Sequence, residues 1–307
     1  MLRARGLRIS RPGGPARLEP VELPAPRGRE VLVGVAAAGL CQSDLHVIDA
    51  PTPALAAAMP FTLGHEIAGT VTLVGDDVET VRVGDPVAVY GPWGCGGCPR
   101  CRAGSENYCL HRDRLGYAGA GLGRDGGIAD AVLVPHERQL LPLAGLDPVQ
   151  AAPLTDAGLT SYQAVRLIAP RLPADPVVAV VGVGGLGHLA IQLLRAVTAS
   201  TVLAVDARAP ALELAQRCGA QLTVPAAAGA AGVRTATGGA GVDAVLDLVG
   251  APGTVDLAAS VLRPGGDLVI VGSGGGRLTV AKPGPLPQGA SVSLPFWGSS
   301  RELREVI

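Results

Sequence analysis

Val177-Val178-Ala179-Val180-Val181 is a β-branched run with no polar residue, and Gly182-Val183-Gly184-Gly185-Leu186-Gly187 follows at once. The run reads as a strand buried on both faces. After the glycines, apolar residues recur at helical spacing through Leu186, Leu189, Ala190, Leu193 and Leu194. Strand, glycine turn and helix in this order give a G-x-G-x-x-G match its meaning. Gly182 allows the tight turn, Gly184 lets a pyrophosphate approach the backbone, and Gly187 lets the helix sit close on the strand. Amides at the helix start then face phosphate charge with a favourable dipole. The next predicted strand ends in Asp206, where a carboxylate about 20 residues on binds ribose hydroxyls and repels a 2′-phosphate. NAD is therefore favoured over NADP, a preference that Arg208 weakens.

A chain of 307 residues is long enough for two domains with cores of their own. Aromatic residues make up 3% of it, so those cores draw mostly on Ala, Val and Leu. A formal net charge of −1 offers no basic face for nucleic acid. No uncharged apolar run is long enough to span a bilayer, and no apolar stretch follows the N-terminal arginines as in a secretion signal. The expectation is a cytoplasmic protein that acts on a small molecule, with neither membrane nor nucleic acid as partner.

Residues 1–150 read as an irregular, mainly β region. Val31–Val35, Ile67–Val74, Asp85–Val89 and Ile128–Val134 are strand-like runs separated by Gly, Pro and Asp turns. From Ala151 helix and strand alternate. A helix is predicted from near Thr155 to Ile168, then strands near 177–181, 201–205, 222–224, 244–248 and 267–271, which implies a parallel, doubly wound sheet. A last strand is expected near 291–294. Ser299 and Glu302 form a capping box that opens a helix of about two turns. Nothing in the pattern terminates that helix, so the sequence reads as cut short.

Two groups of residues have the chemistry of metal ligands. Cys95-x-x-Cys98-x-x-Cys101 and Cys109 place four thiols on one glycine-rich loop, enough to enclose a tetrahedral zinc. Two disulfides and an iron–sulfur cluster are the rivals, the first opposed by a reducing compartment. The closed set of four points to a structural ion that holds a lobe with little core of its own. The second group is dispersed: Cys41-Gln42-Ser43-Asp44-Leu45-His46, Gly64-His65-Glu66 and Leu154-Thr155-Asp156. Three protein ligands with one open position make a catalytic zinc site. Each residue also has a plainer reading: Cys41 as a small buried hydrophobe, His65 as a core histidine, Asp156 as a helix cap. Cys218 reads as core.

Taken together, Cys41-x-Ser43-Asp44, Gly64-His65-Glu66-x-x-Gly69, the four-cysteine loop and Gly182-x-Gly184-Gly185-x-Gly187 resemble the zinc-dependent medium-chain alcohol dehydrogenases, in order and over nearly the whole chain. Pro153-Leu154-Thr155-Asp156-Ala157-Gly158-Leu159-Thr160 looks closest to the bacterial branch that oxidises secondary alcohols, where an aspartate replaces a ligand cysteine. The resemblance implies an α/β fold. A GroES-like, mainly-β catalytic domain would span residues 1–156 and be rejoined by 295–307, and a doubly wound Rossmann domain would span 157–294. It implies a catalytic zinc at Cys41, His65 and Asp156, a structural zinc at the four thiols, and NAD as cofactor. Family members continue for a few dozen residues beyond the point matching Ile307, and they form dimers or tetramers.

Roles follow from the same resemblance. Ser43 takes the alcohol proton and hands it on through the nicotinamide ribose hydroxyls, and His46 either releases it to solvent or lines the pocket. Glu66 is either a transient zinc ligand or a neighbour of one, and Asp44 orients a ligand imidazole. Thr160, Gly185, Leu186, Arg208, Val249 and Val271 join Gly182, Gly184, Gly187 and Asp206 as cofactor contacts. Trp93, Leu122, Phe296, Trp297 and Ala54 to Ala58 are expected to wall an apolar pocket suited to an uncharged alcohol or ketone. Two rival readings remain: a zinc-independent quinone or enoyl reductase on the same scaffold, and a zinc- and nucleotide-binding protein without turnover.

Overall fold

A computed structural model describes residues 2–49 and 52–307, with the side chain of Ala54 outside the description. The chain folds as two compact units, one of Met1–Leu159 with Trp297–Ile307 and one of Thr160–Phe296. The first is therefore discontinuous in sequence. No described helix is long and apolar enough to cross a membrane.

In the discontinuous unit, an antiparallel sheet runs Leu140–Pro142, Pro86–Val89, Glu66–Val74, Val31–Gly39, Ala131–Val134 from edge to edge. Alternation of apolar residues puts Val31, Val33, Ile67, Val71, Val87, Val89 and Val132 into one core. A smaller sheet joins Arg17–Leu23, Leu2–Ile9 and Phe61–Thr62. Its first two strands have no counterpart in the sequence reading, because their periodicity is carried largely by exposed arginines and glutamates. The register of the central pair matters most. Gly39 lies opposite Glu66, so Cys41, just past one strand, and His65, just before the other, come to the same end of the sheet.

The second unit is a six-stranded parallel sheet in the order Leu222–Pro225, Thr201–Asp206, Val177–Val181, Val242–Asp247, Leu262–Ile270, Ser291–Ser293. That order is doubly wound. Val178, Val180, Val202, Ala204, Ala244 and Leu246 face one way, against Ala190, Ile191 and Leu194 of the helix Gly187–Val197. Ala179, Val181, Leu203, Val205 and Val245 face the other way, against Val233, Ala258 and Val261. Helices thus cover both faces, as the unbroken apolar strands require. The final helix, Ser300–Val306, carries the expected capping box, with Ser299 and Glu302 each bonded to the other's backbone.

Candidate active site

Among the described residues, two groups bring metal-ligating atoms within 4.8 Å of one another: Cys95, Cys98, Cys101 and Cys109, and Cys41, His65 and Asp156. The four-cysteine group is built locally. Cys98 caps the short helix Pro99–Arg102, its sulfur accepting from the Cys101 amide, and the Cys95 sulfur accepts from Cys98. Amides of Cys95 and His111 point at the Cys109 sulfur. The Cys101 amide, followed by that of Leu110, draws the Cys98 thiol down to about 6. All four sulfurs of the loop converge, unbonded to one another, which favours one shared ion over two disulfides. Sulfur–sulfur edges of 3.4 and 3.9 Å match the edge of about 3.8 Å that a tetrahedral ion with metal–sulfur bonds near 2.3 Å demands. Four sulfurs so close have room for one ion and none for a polynuclear cluster.

Two features of this lobe escaped the sequence reading. Buried Glu106 accepts from the Gly94 amide, Gln139 and Arg138, the last at 2.6 Å. Arg112 donates to the carbonyls of Glu106, Asn107 and Ala118. The only available signal was the pair of charges lying between and just after the cysteines.

The three-residue group is built by tertiary structure. Strand register supplies Cys41 and His65. Asp156 arrives because the Thr155 hydroxyl accepts from the Ile67 amide at 3.0 Å and donates to the Ala152 carbonyl, fixing the turn beside His65. The Asp156 carboxylate lies 3.3 Å from His65 Nε2 and 3.8 Å from Cys41 Sγ. Tetrahedral edges for N–O and S–O donor pairs are about 3.4 and 3.6 Å at ordinary zinc bond lengths. Neither ring nitrogen of His65 has a hydrogen bond among the described residues, and the ring is 1% exposed. Burial opposes charge on this imidazole, but Asp156, Asp44 and Cys41 outweigh it and push its pKa well up. A buried imidazole facing a thiol and two carboxylates is a place prepared for positive charge, so the residues fit a cation.

Around this group, Asp44 accepts from the Cys41 amide with Oδ2 and the Gly64 amide with Oδ1. It lies 3.5 Å from His65 Nδ1, beside the imidazole, while its hydrogen bonds brace the backbone of both ligand segments. Glu66 accepts from the Ala157 amide, next to Asp156. Burial, then the charge of Asp156, pushes Glu66 up to about 7. Ser43 sits 3.7 Å from the Cys41 sulfur, and His46, exposed, shares its face of the helix Gln42–Asp49. Leu122 and Trp297 lie in one apolar cluster, while Trp93 packs in the other with Ile67 and Val89.

In the parallel-sheet unit, a Cβ on Gly187 would stand 2.1 Å from the Gly182 carbonyl, which is why only glycine closes the helix onto the strand. A Cβ on Gly184 or Gly185 would meet nothing within 4 Å, leaving open space where the turn is expected to receive phosphate. A Cβ on Gly182 would stand 2.5 Å from the Val249 side chain across the point where strand order reverses, and Val271 follows the next strand. Ser161, beside buried Thr160, donates to the Leu186 carbonyl. Asp206 accepts from the amides of Val183 and Arg208 and from the Arg208 guanidinium. Burial raises its pKa, yet those donors, the Arg208 amide foremost, hold it below the ordinary value.

A unit with two cation-ready clusters, in a chain that also folds a doubly wound sheet with a dinucleotide-type turn, has the parts of a metal-dependent dehydrogenase. The alcohol dehydrogenase GroES-like domain profile matches residues 27–145, and the zinc-binding dehydrogenase profile matches residues 185–307. An NAD-dependent alcohol dehydrogenase of Sulfurisphaera tokodaii is 40% identical, over 91% of this chain and 81% of its own length. A D-arabinose 1-dehydrogenase (NADP(+)) of Saccharolobus solfataricus is 32% identical, over 100% and 87%. The crystal structure of an alcohol dehydrogenase from Aeropyrum pernix superimposes with a TM-score of 0.89 at 36% identity, covering 98% of this chain and 88% of that one. The chain belongs to the zinc-dependent medium-chain alcohol dehydrogenase family.

Proposed function

We propose that this zinc-dependent alcohol oxidoreductase exchanges a hydride between an uncharged, apolar secondary alcohol and NAD, with Cys41, His65 and Asp156 as ligands of the ion at the reacting oxygen. The observation that carries the proposal is the convergence of three donors from separate stretches within 4.8 Å. Bound there, zinc supplies the Lewis acidity that brings an alcohol's proton within reach of neutral pH, and NAD supplies the hydride acceptor. Cys41 and Asp156 offset the ion's charge, while His65 adds none. Ser43 accepts the alcohol proton, and exposed His46, on the same helix face, passes it to water. Glu66 steadies the Asp156 turn through Ala157.

Open space at Gly184 and the carboxylate of Asp206 support NAD. The name of the Sulfurisphaera relative points the same way. The apolar cluster that holds Leu122 and Trp297, the latter edge-on to His65, supports a substrate without charge. Six free thiols suit the cytoplasm, and a homodimer or homotetramer is the assembly we infer from the family, to be read by light scattering. Turnover followed as NADH absorbance with 2-propanol and 1-phenylethanol tests the reading. Zinc-dependent activity with NAD is the expected result; zinc and NAD binding without any reaction would defeat it.

A further inference from the structure

We propose that Trp297 is a positioning residue that aims the His65 imidazole at its ion, an inference that rests on the metal reading of Cys41, His65 and Asp156. A ligand histidine is ordinarily fixed by a hydrogen bond from its second nitrogen to a carboxylate or carbonyl. Here the carboxylate beside that nitrogen, Asp44, stands 3.5 Å away, at the long limit of such a bond, and its oxygens also accept from the Cys41 and Gly64 amides. Packing adds to a restraint that is weak at this length. The Trp297 ring meets the imidazole at 90°, centroids 5.6 Å apart, and is 5% exposed. That is the favoured edge-to-face arrangement.

Trp297 pays for this placement with a φ of +53°, a left-handed backbone that a bulky residue adopts only when its surroundings impose it. The surroundings do. A Cβ on Gly91 would lie 2.8 Å from the Trp297 ring and 3.3 Å from the His65 carbonyl, so glycine leaves the slot the indole fills. Tyr90 Oη donates to the Gly298 carbonyl at 2.7 Å. Ser299 caps the last helix, and the Ser300 amide and hydroxyl both donate to the Gly104 carbonyl, between Cys101 and Cys109. The strained residue is clasped from both sides, and its ring ends on a ligand. Tyr90, Gly91 and the thiolate lobe thus reach the three-donor site through one side chain.

Cobalt reports the geometry directly. The thiolate lobe is kept loaded with zinc, Co²⁺ is titrated into the remaining site, and the His65→Ala spectrum is subtracted as a blank. Trp297→Ala is expected to weaken Co²⁺ binding about 10- to 100-fold and to shift its visible bands. Trp297→Phe should restore both, and Tyr90→Phe, which only loosens the clasp, should fall between. Parent affinity and bands in Trp297→Ala, with only its melting temperature lowered, would overturn the inference; so would a Trp297→Phe protein that folds and is as defective as the alanine variant. A parent without any His65-dependent cobalt signal would remove the metal reading itself, and the inference with it.

Discussion

The two metal-ligating groups share a folding unit but are built on opposite principles. The four thiols lie along one loop, and backbone amides from that same loop point at their sulfurs. Cys41, His65 and Asp156 meet only because a strand register puts Gly39 opposite Glu66 and a threonine hydroxyl ties the Asp156 turn to Ile67. A loop that makes its own site is expected to need metal for its fold, since its apolar cluster holds little besides the thiols themselves. A site assembled by a sheet already has its fold, and in the function we propose the ion there serves chemistry. Metal loss should therefore cost stability in one case and turnover in the other.

The largest effect expected is on activity. His65→Ala should lower turnover at least about 10³-fold while metal analysis still finds about one zinc per chain; loss of both ions would erase the distinction. Next in size, Cys98→Ser should empty the thiolate lobe and cost several kcal/mol, on the order of 3, with turnover surviving below the lowered melting point. A variant as heat-stable as its parent would show that the lobe holds itself without metal.

Glu137 offers a control without metal. It is 2% exposed and accepts from the Thr80 hydroxyl and amide, the Glu79 amide and Arg29. Burial raises its pKa, but these donors, Thr80 first, outweigh it and hold the carboxyl at about 2. A depressed folded-state pKa stabilises above the unfolded value near 4.3, and the contribution disappears as pH falls from there toward 2. Glu137→Gln should cost about 2 kcal/mol at pH 7 and flatten the pH dependence of unfolding in that window. An unchanged slope would mean another group carries it. The smallest effect concerns the other unit: Asp206→Ala should weaken NAD about tenfold and relax discrimination against NADP, read by fluorescence titration of each cofactor. Unchanged preference would take Asp206 out of the ribose contact.

What the sequence made legible follows the same division. Val177–Val181 lies where it was predicted, because a strand buried on both faces is written as an unbroken apolar run. The capping box at Ser299 and Glu302 and the thiolate loop are likewise short-range patterns. The meeting of Cys41, His65 and Asp156 was readable only through resemblance, since no local spacing encodes a strand register. The part played by Trp297 was not readable at all. A tryptophan near the end of a chain resembles any apolar wall, and its left-handed backbone depends on Tyr90, Gly91 and Gly104, all distant in sequence.

Anomalous diffraction at the zinc absorption edge, from crystals of the zinc-loaded protein, tests the central claim without any substitution. Two peaks are predicted for each chain, one inside the cage of Cys95, Cys98, Cys101 and Cys109 and one bonded to Cys41, His65 and Asp156. A single peak in the thiolate cage, with nothing beside His65, would contradict it.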